Sequence, residues 1–460
     1  MPILSLTVAA AVSIAGAQTP AGELAGRWEG RINAGGQSLR VVLNVDAVGG
    51  ATMDSPDQGV NGLGVSGLSL QGGVVRFSIP AANGGYEGTL TDGGRTLNGA
   101  LTQGGISIPL VLTRTMELTP SAPPAEATPQ PVADNRPQTP QAPFPYRSED
   151  VTIPTPTPGV QLAGTLTVPE GSGPFPAVLL ITGSGQQDRD ETVFGHKPFL
   201  VLADALSRRG VAVLRVDDRG MGGSTGPVVT ATSADFAVDA GASFAFLSAR
   251  PEIAHDRIGL IGHSEGGTIA PLVAQADPRV AFIVLIAGPA VSGEALLVEQ
   301  SRRIQLGSGI DPAVAESNVA TQARIMHAVA ENAGSAEAAI AAVDAVLTGA
   351  GMPEAQRQAI APQFASPWPR WFIAHDPRAS LAALHIPVLA LYGGKDVQVP
   401  ADQNAPALRA ILPSAEVVVL PNLNHLMQPA ETGMTSEYAT IPTTIDPSAL
   451  SAIVDWVAAR

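Results

Sequence analysis

The pattern of apolar and polar positions first separates an N-terminal region that alternates at every second residue. Between residues 22 and 115, runs such as SLRVVLNVD, VVRFSIP, GYEGTLTD and ISIPLVLTR are short and rich in β-branched residues, and glycine-containing turns separate them. This alternation is typical of half-buried β-strands joined by tight turns. The sequence therefore predicts a small all-β domain, a barrel or a sandwich, over residues 22–115, with Trp28 plugging its base.

From residue 148 onward the apolar runs become continuous and alternate with amphipathic segments. PAVLLITG, VAVLRVDD, RIGLIG, VAFIVLIAG and PVLALYGG are short apolar runs, and segments with helical periodicity lie between most of them. Continuous apolar strands indicate a mostly parallel sheet that helices cover on both faces. We predict an α/β domain over residues 148–460. Its alanine-rich stretch 291–380 breaks the rhythm and predicts a helical cap over the strand ends.

Two further segments have a composition that fits neither domain. Residues 116–147 are rich in proline and contain almost no large apolar side chain, which predicts an extended linker. Residues 1–17 form an apolar segment that ends in Ala15-Gly16-Ala17, a cleavage pattern of signal peptides. The segment is too short to cross a membrane as a helix. We expect a secreted or periplasmic protein with no stable membrane insertion.

Composition then narrows the classes of partner. The formal net charge of −15 argues against nucleic acid, because phosphate binding needs a basic surface. The chain contains no cysteine, which excludes disulfides, thiolate metal sites and cysteine nucleophiles. No HExxH motif is present either, so we expect no metal site. The remaining expectation is a small, neutral or weakly charged substrate.

One short motif carries the strongest chemical signal. Gly262-His263-Ser264-Glu265-Gly266 has the pattern G-x-S-x-G and lies directly between a predicted buried strand and a predicted helix. This is the context of a nucleophile elbow, a turn so tight that its flanking positions require glycine. The helix N-terminus also favours negative charge beside Ser264. We predict Ser264 as a nucleophile, with the neighbouring His263 pointing away from it.

A serine hydroxyl needs a base, and the base needs an orienting acid. Asp396 follows the strand PVLALYGG, and His425 follows the strand EVVVLP, so both lie just past the carboxyl ends of strands, where such sheets place their sites. We predict His425 as the general base and Asp396 as its partner. His196 is a rival base that precedes the serine in the chain, and Asp402 is the alternative acid.

Acyl transfer also needs donors for a developing oxyanion. We predict that the backbone N–H groups of Glu265 and Ser184 supply them, with Gly185 as the alternative to Ser184 and as a substrate contact. The cap carries an aromatic cluster that either lines a substrate pocket or only packs the cap: Trp368, Trp371 and Phe372. The charged stretch 188–191 either contacts substrate or forms a salt-bridge network that shapes the adjacent loop.

Several motifs in order then resemble one family. ITGSGQQDRDE, GHKPFLVLADALSRRGVAVLRVDDRGMGGSTG, GLIGHSEGG, YGGKDVQVP and LNHLMQ together resemble bacterial α/β-hydrolase-fold carboxylesterases, over residues 151–460. The resemblance implies an α/β-hydrolase fold and serine esterase activity on short-to-medium acyl esters, with no cofactor. It also implies the triad Ser264, Asp396 and His425. The N-terminal region resembles the small lipocalin-like domains that precede some secreted hydrolases.

Two other functions remain open at this point. A serine peptidase or amidase of prolyl-oligopeptidase type would use the same triad, although such enzymes usually carry a large propeller. A catalytically inert protein that binds a glycan or lipid through its β domain belongs to a different class. The complete set of Ser264, Asp396 and His425 in the expected order argues against an inert protein.

Overall fold

The computed structural model describes residues 24–34, 37–46, 50–55, 60–79, 84–103, 106–116 and 136–460. The chain divides into two compact units, residues 1–127 and residues 128–460. The predicted signal peptide, residues 1–17, and residues 117–135 of the predicted linker lie outside the described residues.

The first unit is a closed barrel of eight antiparallel strands. Each strand pairs with the next one along the chain, and the last strand, β8, pairs with β1 to close the barrel. The strands are β1 (Gly26–Ala34), β2 (Gln37–Val45), β3 (Ala51–Ser55), β4 (Val60–Gln71), β5 (Val74–Ile79), β6 (Gly84–Thr91), β7 (Thr96–Gln103) and β8 (Ile106–Met116). The predicted all-β domain is confirmed, and its form is a barrel.

Large side chains pack in the core of the barrel. Trp28 is fully buried, and its indole Nε1 donates a hydrogen bond to the carbonyl of Leu24 at 2.9 Å. The rings of Phe77 and Tyr86 stack at 5.2 Å between centroids, and the Tyr86 hydroxyl donates to the carbonyl of Leu97 at 3.0 Å. Burial alternates along β5, as expected for strands with one face in a core.

The second unit contains an eight-stranded sheet in the order β16-β15-β14-β13-β11-β12-β10-β9. Strands β9 and β10 pair antiparallel, β10 pairs antiparallel with β12, and the remaining pairs are parallel. The strands are β9 (Tyr146–Pro154), β10 (Gln161–Pro169), β11 (Phe175–Ile181), β12 (Ala212–Val216), β13 (Ile253–His263), β14 (Phe282–Ile286), β15 (Val388–Gly393) and β16 (Glu416–Leu420). The predicted mostly parallel sheet is confirmed.

Five helices alternate with these strands outside the predicted cap. They are α1 (Pro198–Arg208), α2 (Ser233–Ser248), α3 (Gly266–Ala276), α10 (Ala401–Ile411) and α11 (Pro447–Ala458). Helix α2 begins with a capping box, in which the Thr232 hydroxyl accepts from the Asp235 backbone and the Asp235 carboxylate accepts from the Thr232 backbone. The four central parallel strands are buried along nearly their whole length.

Six helices occupy the stretch for which the sequence predicts a cap. They lie between β14 and β15, where two adjacent parallel strands would otherwise need only one crossover helix. The helices are α4 (Gly293–Gly307), α5 (Pro312–Glu331), α6 (Ala336–Gly349), α7 (Glu354–Phe364), α8 (Pro367–Ala374) and α9 (Arg378–Ala382). A separate apolar cluster, including Val329, Val343 and Ile373, packs these helices together.

The end of the predicted linker differs from the expectation. Strand β9 begins at Tyr146, and residues 136–145 contact the α/β unit instead of forming a free spacer. Two polar side chains attach this segment to the α/β unit, and the proline-rich composition gives no sign of these contacts. Arg136 donates hydrogen bonds to three backbone carbonyls of the α/β unit, and Gln138 bonds the backbone of Thr444 and Ile445.

Candidate active site

The turn between β13 and α3 holds Ser264 in a strained backbone conformation. Ser264 has φ of +52°, in the left-handed region that non-glycine residues rarely adopt. Its backbone N–H donates to the carbonyl of Ile286 at 2.9 Å. A Cβ at Gly262 would lie 2.1 Å from the Gly266 carbonyl oxygen, and a Cβ at Gly266 would lie 2.2 Å from that of Ile181. Both positions flanking the serine therefore accept only glycine.

Asp396, the predicted acid, is hydrogen-bonded to His425. It lies after β15 and is buried, and its Oδ1 accepts from the backbone N–H groups of Gln398 at 2.7 Å and Val399 at 2.9 Å. Its Oδ2 lies 2.8 Å from His425 Nδ1. A carboxylate at this position favours the tautomer with the proton on Nδ1. The Nε2 atom of His425 is then available to take up a proton.

The loop that carries His425 is organised by its own side chains. Asn424 is fully buried, and its Oδ1 accepts from the backbone N–H groups of Leu426 at 3.0 Å and Gln428 at 2.9 Å. Its Nδ2 donates to the side-chain oxygen of Gln428 at 2.9 Å. These hydrogen bonds within the loop help to fix the position of His425.

One cavity of about 160 Å³ brings the predicted residues together. Ser264, His425 and Ser184 all line it, and Asp396 lies behind His425. Glu265 is the N-cap of α3, where backbone N–H groups have no acceptor within the helix. Gly183, Glu191 and His263 also line this cavity. The other lining residues are ones that the sequence did not single out, namely Gln187, Val193, Phe194, Gln398, Leu426, Thr435 and Tyr438.

The predicted substrate contacts lie elsewhere. Gly185 lines a second, smaller cavity of about 50 Å³ together with Asp218 and Glu265. The aromatic side chains of α8 are used in ring contacts: Trp368 stacks on Phe372 at 4.9 Å, and Trp371 stacks on His375 at 4.3 Å. Helix α8 packs against α4, α5 and α2, and none of its three aromatic side chains lines the cavity at Ser264. Trp371 and His375 instead line a separate cavity of about 420 Å³.

Glu265 connects the elbow to the cap through its side chain. It is buried, and its Oε1 accepts hydrogen bonds from the Ser233 hydroxyl and from the Trp368 indole Nε1, the latter at 2.8 Å. Burial raises the pKa of Glu265, and these two hydrogen bonds only partly oppose that effect. The Glu265 side chain is thus directed towards the cap, away from Ser264.

His263 does not point away from the site, so that prediction is wrong. Its ring lies 4.8 Å from the ring of His425 and lines the same cavity as Ser264. Its Nδ1 lies 2.8 Å from Glu191 Oε1, and its Nε2 lies 3.1 Å from the His425 carbonyl oxygen. The same Glu191 oxygen accepts from the backbone N–H of Gly183 at 2.7 Å. This Gly183–Glu191–His263 chain of hydrogen bonds connects two loops. One is the loop after β11, here called the oxyanion loop because it carries the predicted donor Ser184, and the other is the loop that carries His425.

The electrostatics of that chain favour a charged imidazole. Burial by itself lowers the pKa of His263, but the adjacent Glu191 carboxylate and the hydrogen bond to the His425 carbonyl outweigh burial and raise it above its ordinary value. An imidazole can donate from both ring nitrogens only when it is protonated. Both acceptors here are oxygens, which fits the imidazolium form.

The charged stretch 188–191 forms a salt-bridge network, as one of the two interpretations predicts. Arg189 bonds Asp217 through Nη2 at 2.7 Å and Nε at 3.0 Å, and Arg215 bonds Asp190. Beside it, Asp218 accepts from the Thr182 hydroxyl at 2.7 Å, and burial raises the pKa of Asp218 to about 7. The network braces the loop that follows β11.

The family match decides the classification. Residues 176–432, more than half of the chain, match the family described as alpha/beta hydrolase fold. The chain belongs to this alpha/beta-hydrolase family. Esterase EstD of Thermotoga maritima is 29% identical over 274 residues, which cover 58% of this chain and 58% of the relative. The chain thus matches a little over half the length of that curated relative.

Two solved structures are also similar. An esterase of Pyrococcus furiosus shares 16% identity with a TM-score of 0.43, over 68% of this chain and 90% of that chain. A dienelactone hydrolase of Anabaena variabilis shares 16% identity with a TM-score of 0.38, over 69% of this chain and 97% of that chain.

Within the described residues, two other classes of site have no support. No group of three or more histidine, aspartate and glutamate side chains in the described ranges is arranged to hold a metal ion. No helix among the described residues is both long and apolar enough to cross a membrane.

Proposed function

We propose that the protein is a serine carboxylesterase that hydrolyses short-to-medium acyl esters. The observation that carries this proposal is the buried His425–Asp396 pair, 2.8 Å between Nδ1 and Oδ2, with His425 and Ser264 lining one cavity. Family membership and the similarity to a relative named as an esterase support the same reaction class. We also propose export, on the basis of the apolar segment in residues 1–17.

In the proposed reaction, Ser264 Oγ forms a bond to the ester carbonyl carbon while its proton moves to His425 Nε2. Asp396 stabilises the imidazolium that results. The tetrahedral intermediate then collapses, the bond to the alcohol oxygen breaks, and His425 returns the proton to the leaving alcohol. Water attacks the acyl-enzyme in the same way, with His425 as base, and releases the carboxylic acid and free Ser264.

The contacts of the oxyanion loop support Ser184 and Glu265 as the donors. The backbone N–H of Gly183 already donates to Glu191, so it is not available to an oxyanion. The next amide along the loop belongs to Ser184, which lines the cavity with Ser264. The Glu265 N–H at the start of α3 completes a pair of the kind that stabilises tetrahedral intermediates of acyl transfer.

A panel of chromogenic substrates tests this proposal. We expect the wild-type chain to hydrolyse p-nitrophenyl esters from acetate to laurate, with Ser264→Ala lowering kcat by about 10⁴-fold or more. The matched control is Ser308→Ala, which replaces an exposed serine at the end of α4 that does not line the cavity and should leave kcat unchanged. Serine-dependent turnover of aminoacyl p-nitroanilides without ester turnover would instead favour the peptidase. Absence of both activities would favour the ligand-binding protein.

A further inference from the structure

Two aromatic side chains from distant parts of the chain form one wall of the cavity at Ser264. Phe194 and Tyr438 both line the cavity, and their rings meet edge to face with 5.6 Å between centroids. Phe194 has φ of +51°, so its backbone is strained and must be held by its surroundings. Tyr438 is buried. This pair of rings therefore bounds part of the cavity that contains Ser264.

A buried histidine connects the loop that carries Phe194 to the segment that carries Tyr438. His196 is fully buried; its Nε2 lies 2.9 Å from the Tyr438 carbonyl oxygen, and its Nδ1 lies 3.0 Å from the Thr444 hydroxyl. The backbone of His196 also pairs with that of Val193, so the loop around Phe194 is a closed turn. His196 therefore acts as a structural link and not as a rival base to His425.

Arg136 fastens the same two loops from the segment that precedes β9. Its Nη2 donates to the carbonyl of Phe194 at 2.7 Å and to that of Ala439 at 2.9 Å, and its Nη1 donates to that of Ile441 at 2.6 Å. A planar guanidinium can serve several acceptors in fixed directions, which an ammonium cannot do. Nearby, Gln138 Oε1 accepts from the Thr444 N–H at 2.6 Å.

We propose that Arg136 is a positioning residue that sets the size selectivity of the cavity at Ser264 by holding Phe194 against Tyr438. This inference rests on the proposed esterase function and adds a determinant of which esters fit. Without the guanidinium, the Phe194 and Ala439 carbonyls lose their shared donor. The strained turn at Phe194 then relaxes and the wall moves away from Ser264. Arg136 is not among the residues that line the cavity at Ser264 and His425, so we expect the chemical step to stay intact.

The test compares the ratio of kcat/KM for p-nitrophenyl octanoate to that for p-nitrophenyl acetate. A second ratio is measured alongside: kcat/KM for an ester of a branched alcohol divided by kcat/KM for an ester of an unbranched alcohol. In Arg136→Ala we expect at least one of the two ratios to rise by about tenfold, chiefly because KM for the larger ester falls. A tenfold change is the size of effect that one methylene group has on kcat/KM in a closely fitting pocket. Phe194→Ala, which opens the wall directly, should change the same ratio in the same direction, and Arg136→Lys should give a smaller change.

The control is Arg147→Ala, which removes an exposed arginine of β9; neither Arg147 nor its partner Glu252 lines the cavity at Ser264. Its ratios should equal those of the wild type. If Arg136→Ala fails to fold, as judged by thermal melting, Arg136→Lys and Phe194→Ala carry the comparison. Wild-type ester turnover with unchanged ratios in these variants would overturn the role of Arg136 and leave the esterase intact. Absence of ester turnover in the wild type would overturn both.

Discussion

Replacing Asp396 with asparagine is expected to lower kcat for ester hydrolysis about 10⁴-fold while the protein stays folded. The asparagine oxygen can still accept from the backbone N–H groups of Gln398 and Val399, so the loop keeps its shape. The amide nitrogen would then face His425 Nδ1 and donate to it. That arrangement stabilises the His425 tautomer with the proton on Nε2. Because Nε2 then already carries a proton, it cannot accept the proton of Ser264.

The measurement is kcat for p-nitrophenyl acetate, with thermal melting to check folding. Asp402→Asn is the matched control, because the sequence also allows Asp402 as the acid. Asp402 is exposed, lies on α10 and pairs with Arg303 at 2.7 Å, so its loss should leave kcat unchanged. Retention of more than about a tenth of wild-type kcat in Asp396→Asn would contradict the assignment of the acid.

Replacing Glu191 with glutamine is expected to lower kcat about 10²-fold and to destabilise the protein most at acid pH. Glutamine can still accept from the Gly183 N–H, but it no longer supplies the charge that favours His263 imidazolium. A neutral His263 has a single ring N–H to donate. It would therefore lose its hydrogen bond either to the side chain at position 191 or to the His425 carbonyl. A shift of the oxyanion loop relative to His425 lowers the rate without removing any reacting group.

The sign of the pH dependence follows from His263. Glu191 and the His425 carbonyl raise its pKa in the folded state above the unfolded value. The stability that the pair contributes is therefore fully present below the unfolded pKa of about 6.5 and is lost as the pH rises through the folded pKa. The difference in unfolding free energy between wild type and Glu191→Gln should be largest near about pH 6 and smaller near about pH 9.

Urea unfolding at these two pH values gives the required free energies. Glu299→Gln is the matched control, because Glu299 pairs with Arg302 and Arg303, whose charges do not change in this range. Its effect should be the same at both pH values. An equal loss for Glu191→Gln at both pH values, together with an unchanged kcat, would contradict the role given to the Gly183–Glu191–His263 chain.

The three candidate catalytic residues could be proposed from the sequence because each one follows a sequence signal that is local. Ser264, Asp396 and His425 each lie within a few residues of the end of an apolar strand, and the sheet brings those ends to one edge. The fold class follows from the same periodicity. Closure of the N-terminal barrel is not local, because it depends on the pairing of β1 with β8, whose residues are far apart in sequence.

The rest of the site depends on contacts that no local pattern contains. Glu191 reaches His263 across 72 positions through a loop in which Glu191 itself has φ of +52°. The charged stretch 188–191 indicates that its acidic and basic side chains form ion pairs. It does not indicate which carboxylate contacts His263. The contacts among the aromatic residues of α8 are equally hidden in the sequence: Trp368 and Phe372 are one helical turn apart and stack on each other.

The most direct test of the account is the site of reaction with a fluorophosphonate, which phosphonylates an activated serine. We expect the intact mass of the full chain to rise by one phosphonyl group, and peptide mapping to place that group on Ser264. The Asp396→Asn variant should react far more slowly, because its His425 cannot activate the serine. A wild-type chain that stays unmodified, or that carries the label on another residue, would contradict the assignment of Ser264 as the nucleophile.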